Sequence, residues 1–232
     1  MTASSEQLQS RLADITQRIE HACETGDRDP HTVRLIAVSK RQPASAIESA
    51  FALGIRDFGE NYVQELSTKS QSLSHLPGLR LHMIGRLQSN KAKDVAPLAS
   101  AVHTLDSEKL GNELNRRAEL TGRILPVFLG VNIGKEAQKS GLSPDGVVSL
   151  INKSAAWPNL AVEGLMCIPP HVAHPEKARP YFRALRKLRD TLDPKLPRLS
   201  MGMSQDFHIA VEEGATDIRV GTALFGERPR VQ

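Results

Sequence analysis

The chain has 232 residues, of which 40% are hydrophobic and 24% charged, with a formal net charge of +4, enough for one large core in a single domain of α/β-barrel size. No run of about 18 apolar residues occurs, and the polar opening MTASSEQLQSRLADITQRIE lacks a signal-peptide pattern, so the expectation is a cytoplasmic protein with no membrane partner. The basic residues are scattered, clustering only at helical spacing in RALRKLRD, and Cys23 and Cys167 show no metal-ligand spacing, which argues against a nucleic-acid partner and against a zinc or disulfide framework.

Leu8, Leu12, Ile15 and Ile19 recur at helical spacing and predict an amphipathic helix ending near TGDRDP. Residues 1–30 therefore read as a helix and linker, and residues 31–228 as the body of the domain. In that body, short apolar or β-branched runs fall at residues 33–39, 57–59, 80–84, 101–105, 125–132, 162–167, 198–201 and 217–220. Stretches with helical periodicity lie between them, at residues 44–53, 62–73, 90–98, 107–120, 144–156, 176–192 and 206–213. Eight strands alternating with helices predict a (β/α)8 TIM barrel carrying an extra N-terminal helix, with an open doubly wound sheet as the other arrangement the pattern allows.

In such a barrel, function sits at the C-terminal ends of the strands. Lys40 ends the first strand in RLIAVSKRQP, Glu60 and Asn61 end the second in FGENYVQE, and His82 lies in the third. The last two strands run into LSMGMSQD and IRVGTALFG, which offer Ser200, Gly202, Ser204, Gly221 and Thr222 as hydroxyls and close-approach glycines suited to a phosphate. A lysine partly desolvated at a barrel mouth has a nucleophilic amine that can form a Schiff base with a carbonyl. Beside a phosphate cup, that lysine points to pyridoxal 5′-phosphate, with Arg219 available to face the pyridine nitrogen. The plainer readings are that Lys40, like Arg41, begins a surface loop and that the Gly-Ser segments are ordinary turns.

The motifs AVSK, FGENYVQE, HMIGRLQSNK, VNIGKEAQKSG, GLMCIPP and LSMGMSQDFHIAVEEGATDIRVGTALFGER cover nearly the whole chain after the first helix. In them the sequence resembles the pyridoxal phosphate homeostasis proteins, relatives of the N-terminal barrel domain of alanine racemase. The resemblance implies Lys40 as the Schiff-base lysine and Arg219 as the partner of the pyridine nitrogen. It implies Asn61 and His82 beside the cofactor, Met166 and Met201 as its apolar surround, and Ser204, Gly221 and Thr222, with Ser200 and Gly202, around the phosphate. His82 also reads as a satisfied core histidine and Met166 as core packing. Met83 stands where the family more often has Phe, a change of volume alone.

A permanent cation at the pyridine nitrogen disfavours its protonation and weakens the ring as an electron sink. Alanine racemase takes a second catalytic base, a tyrosine, from an additional domain, and neither Tyr62 nor Tyr181 matches that motif. The expectation is a pyridoxal phosphate carrier in vitamin B6 homeostasis with no catalytic residue, a monomer that supplies apo-enzymes. The alternatives are an amino-acid racemase completed by a partner subunit and a Schiff-base aldolase using Lys40 directly. Lys135 and Lys139 read as a solvated loop or a weaker second aldehyde or phosphate site, and His171 and His174 as loop residues rather than metal ligands.

Overall fold

The alternation of strand and helix patterns closes on itself. In the computed structural model, which describes residues 4–136, 138–192 and 196–227, eight parallel strands form a closed barrel in chain order. They are β1 (Arg34–Val38), β2 (Asp57–Glu60), β3 (Arg80–Met83), β4 (Ala101–Leu105), β5 (Leu125–Val131), β6 (Leu160–Cys167), β7 (Arg198–Met203) and β8 (Asp217–Val220). Closure is made by β1 and β8, with Ile36 opposite Arg219 and Ala37 opposite Val220. The ends of the division expected from sequence, residues 1–3 and 228, lie outside the described residues.

The helices are α1 (Ser5–Thr25), α2 (Ala44–Ala52), α3 (Val63–Ser72), α4 (Ala92–Val95), α5 (Glu108–Glu119), α6 (Pro144–Ser154), α7 (Arg179–Asp190), α8 (Phe207–Glu212) and α9 (Thr222–Phe225). The window at 90–98 yields only one α-helical turn after a 3-10 turn, because Pro97 has no N–H to continue the ladder. The single turn of α9 is too short to show periodicity, and the sequence reading did not include it.

Ser4 caps α1 with a reciprocal capping box to Gln7, and the helix buries Leu8, Ile15, Ile19, Ala22 and Cys23. Each of its large aliphatic side chains contributes about 1.5–3 kcal/mol by leaving water. The helix packs against α8 and α9. Arg28 ties the chain after it to the barrel, donating to the carbonyls of Val211 (2.6 Å) and Ala215 (2.9 Å).

Strand alternation divides the core. One set of strand residues, including Ala37, Phe58, Leu81, Met83, Val127, Leu165, Leu199, Met201 and Ile218, belongs to the large apolar cluster between sheet and helices. The opposite set fills the barrel. Its lower layer is ionic: Arg80 grips Asp57 with two hydrogen bonds (2.7 and 2.6 Å), and Arg198 grips Asp217 likewise (2.9 and 2.6 Å). Above it lie His82, His103, Phe128, Ser200 and Arg219, all buried.

Candidate functional site

At the C-terminal ends of the strands the barrel opens into a cavity of about 400 Å³, within the range of small-molecule sites. Its walls include Lys40 after β1, Asn61 after β2, Ile84 after β3, Ile168 and Pro169 after β6, Ser204 after β7, and Arg219, Gly221 and Thr222 on and after β8. A second lobe of about 380 Å³ shares Asn61, Ile84, Lys139 and Ile168 with the first and adds Arg86, Asp106 and Met166.

Lys40 is half-buried, and the chain around it is held from behind. Ser39 is fully buried, and its Oγ donates to Glu60 Oε1 at 2.6 Å. Lys69 Nζ, on α3, donates to the Ser39 carbonyl (2.7 Å), Glu60 Oε1 (2.7 Å) and Glu65 Oε2 (2.8 Å). On the other side of Lys40, Arg41 takes a left-handed φ of 59° and its N–H donates to Glu65 Oε2 at 2.7 Å. Both peptide neighbours of the lysine are thus fixed by one Glu60–Lys69–Glu65 cluster. The sequence put Glu60 at the mouth, but its side chain turns behind β1 and β2, where burial raises its carboxyl pKa and Lys69 opposes the rise.

Arg219 is 4% exposed. Its Nη1 donates to Ser200 Oγ (2.6 Å) and its Nη2 to the Cys167 carbonyl (2.9 Å), so neither hydrogen-bond partner is a carboxylate. Burial lowers its pKa, against the attraction of Cys167, Asp206 and Asp217. At the ends of β7 and β8, the N–H groups of Gly221 (3.1 Å) and Ala223 (3.3 Å) converge on Ser204 Oγ beside Thr222. The cavity therefore has an amine after β1, a buried cation in its floor and a hydroxyl-amide cluster at the ends of β7 and β8, the latter being the strand paired with β1.

Of the residues singled out from sequence, Lys40, Asn61, Ser204, Arg219, Gly221 and Thr222 meet in this one cavity, and Met166 lines the second lobe while packing on Ala101 and Phe128. Four others take different places. His82 is 1% exposed and lines neither lobe; its Nε2 is 2.8 Å from Asp57 Oδ1 and its Nδ1 is 3.0 Å from His103 Nε2. Ser200 lies beneath Arg219 rather than at the phosphate end. Met201, one residue on, faces the opposite side of the sheet and joins the outer core. Gly202 has a φ of 92°, and a Cβ there would sit 2.6 Å from that of Ala210, so this glycine permits contact with α8 rather than with a ligand.

Sequence reasoning passed over His103, Asp206 and the reach of Lys139. His103 could have been found from its parity in AVHTL, which aims it into the barrel. Asp206 lines the cavity, and its Oδ1 accepts from the Met203 N–H (2.6 Å) while burial raises its pKa. Lys139 lines both lobes, pairs with Glu136 and donates to the Pro169 carbonyl (3.1 Å). Lys135 lines neither lobe, and among the described residues no group of three or more His, Cys, Asp or Glu could hold a metal ion.

Residues 11–229 match the family model of the alanine racemase N-terminal domain. The pyridoxal phosphate homeostasis protein of Aquifex aeolicus is 43% identical over 222 residues, covering 94% of this chain and 97% of the relative. That of Escherichia coli is 40% identical over 225 residues, with 94% and 95% covered. The chain belongs to the pyridoxal phosphate homeostasis protein family. Among solved structures, PipY of Synechococcus elongatus with PLP bound is 37% identical, with a TM-score of 0.81 over 95% of this chain and all of that one. Alanine racemase from Clostridium difficile is 14% identical with a TM-score of 0.72, and 60% of it is covered, so this likeness shows the fold alone.

Proposed function

We propose that this protein holds pyridoxal 5′-phosphate reversibly on Lys40 and serves its intracellular homeostasis without substantial catalysis. The observation that carries the reading is the convergence, in one cavity of about 400 Å³, of Lys40, the buried Arg219 and the Ser204, Gly221 and Thr222 cluster. When bound, the group supplies an aldehyde that condenses with a primary amine and a ring that can withdraw electrons. The donor set fits it: Lys40 for the aldehyde, Arg219 for the ring nitrogen, Asn61 beside the ring, and Ser204 with Gly221 and Thr222 for the phosphate.

The chain's own residues favour holding over turnover. Arg219 presents a cation where a proton on the ring nitrogen would have to sit, which keeps electron withdrawal weak. Two-base racemisation needs an acid or base on each face of the reacting carbon. Tyr62 precedes α3 and Tyr181 lies in α7, and neither lines the cavity lobes. In this reading the protein acts as a monomer, and apo-enzymes that need the cofactor are its recipients.

The test is the absorption spectrum of the protein with pyridoxal phosphate, for wild type and Lys40→Ala, before and after borohydride, alongside an amino-acid racemisation assay. A band fixed by borohydride in wild type and missing in Lys40→Ala is expected, with no racemisation above that of free cofactor. No band in either protein would sink the binding reading, and sustained turnover would replace the carrier with a racemase.

A further inference from the structure

Below the cavity a chain of hydrogen bonds runs from Arg219, and apart from Arg219 the binding reading does not use it. It crosses the barrel from β8 through β7, β4 and β3 to β2. Arg219 Nη1 lies 2.6 Å from Ser200 Oγ, Ser200 Oγ 2.9 Å from His103 Nδ1, His103 Nε2 3.0 Å from His82 Nδ1, and His82 Nε2 2.8 Å from Asp57 Oδ1. Ser200 and His103 are fully buried, and His103 stacks on Phe128 with ring centroids 4.2 Å apart.

The direction of the chain follows from its two ends. A guanidinium has only donors, so Ser200 Oγ must accept from Arg219. Asp57 is held by Arg80 as a carboxylate, so His82 Nε2 must donate to it. Between these ends, one arrangement satisfies every buried atom with both rings uncharged. The Ser200 hydroxyl donates to His103 Nδ1, and His103 Nε2–H donates to His82 Nδ1. Burial, first, and the nearby guanidinium charges of Arg219, Arg198 and Arg34 hold His103 well below the usual histidine pKa, in keeping with a neutral ring.

We propose that His103 is a positioning residue for Arg219, locking the Ser200 hydroxyl as an acceptor so that the guanidinium is fixed beneath the cavity with its charge unneutralised by any contacting carboxylate. The nearest anion along the chain, Asp57, stands three neutral groups away. Arg219 then offers N–H to an acceptor, which selects a ring nitrogen that carries no proton. The ligand half of this inference rests on the pyridoxal phosphate reading; the tautomer half does not.

Two measurements on the full chain test it. Long-range ¹⁵N–¹H correlation spectra of the ligand-free wild type should show both His103 and His82 as neutral Nε2–H tautomers. A His103 ring protonated at Nδ1, or a charged one, would overturn the directional chain. Binding is then titrated with pyridoxal phosphate and with its 1-deaza analogue, whose ring nitrogen is replaced by CH, on wild type, His103→Phe and Ser200→Ala. His103→Phe keeps a ring against Phe128 but breaks the chain, and should weaken pyridoxal phosphate about tenfold, the size of one hydrogen bond to a charged group. The deaza analogue should change less than about twofold, since it makes no contact that the chain orients. Equal losses for both ligands would reduce His103 to a packing residue, and no loss for either would remove it from the site. Should His103→Phe fail to fold, Ser200→Ala, which deletes only a hydroxyl, is read the same way. If neither ligand binds the wild type, the cofactor reading fails while the tautomers still decide the chain.

Discussion

Replacing Lys69 by methionine removes the cation that holds the strand end bearing Lys40, and the structure allows the cost to be worked out. The Lys69 side chain is 7% exposed and that of Glu60 fully buried, with Nζ 2.7 Å from Glu60 Oε1. Glu60 Oε2 has no hydrogen-bond partner, so without Lys69 the carboxylate keeps only the Ser39 hydroxyl. Breaking a buried pair in this way costs about 3–5 kcal/mol, because the Glu60 charge is left uncompensated, while Glu65, which loses the same cation, keeps the Arg41 N–H. Glu60 can escape part of that cost by taking a proton. From its ordinary value of 4.5, remaining protonated costs about 1.4 kcal/mol per pH unit, about 3 kcal/mol at pH 7 and about 5 kcal/mol at pH 8, which caps the loss at each pH.

The same argument fixes the pH dependence. Burial raises the Glu60 pKa and Lys69 opposes it, so removing Lys69 raises the folded value further. Above the unfolded value of 4.5 the folded variant then retains a proton that the unfolded chain releases, so its stability falls as pH rises until the folded value is passed. Urea denaturation of ligand-free protein should show a Lys69→Met penalty of about 3–5 kcal/mol at pH 8 and about 1 kcal/mol at pH 5. Glu60→Gln in the same chain should restore most of it at pH 8. A penalty independent of pH, or one that Glu60→Gln leaves untouched, would refute the reasoning.

Further expectations follow from other buried groups. His103 is held below its ordinary value of 6.5 by burial and by His82, Arg219, Arg198 and Arg34, with Ser200 and Phe128 completing its surroundings. Its contribution is complete above pH 6.5 and is lost as pH falls below it, by up to about 1.4 kcal/mol per pH unit, so His103→Phe should flatten the stability curve there. Wild-type and variant urea curves that stay parallel from pH 7.5 to 5.5 would contradict this. Gly202→Ala forces a Cβ to 2.6 Å from that of Ala210 at a left-handed φ, and should cost about 2–3 kcal/mol in thermal or urea melts. Burial pushes the Cys167 thiol up to about 12 and raises that of Cys23, so Ellman's reagent should label neither in the native protein and both in denaturant. Fast native labelling of either would show that its helix or strand opens readily.

The mouth residues were legible because chain order alone places them. A residue that follows a barrel strand must face the C-terminal opening, whichever way the strands are sheared, so Lys40, Asn61, Ser204, Gly221 and Thr222 required only correct strand ends. Depth and facing within a strand require more. Ser200 and Met201 are adjacent, yet one bonds Arg219 inside the barrel and the other packs outside it, a distinction that period-two parity carries and the motif LSMGMS obscures. The partners of the inward residues were not legible at all. His82 lies opposite Ala101 in the sheet, but its ring reaches His103 two residues further along β4. That offset is set by barrel shear, which no local pattern reports. The floor of the cavity therefore depends on the closed barrel as a whole. Arg219 is oriented through one residue each from β7, β4, β3 and β2, so a substitution as remote as Asp57, at the N-terminal end of its strand, acts on the same guanidinium that faces the cavity.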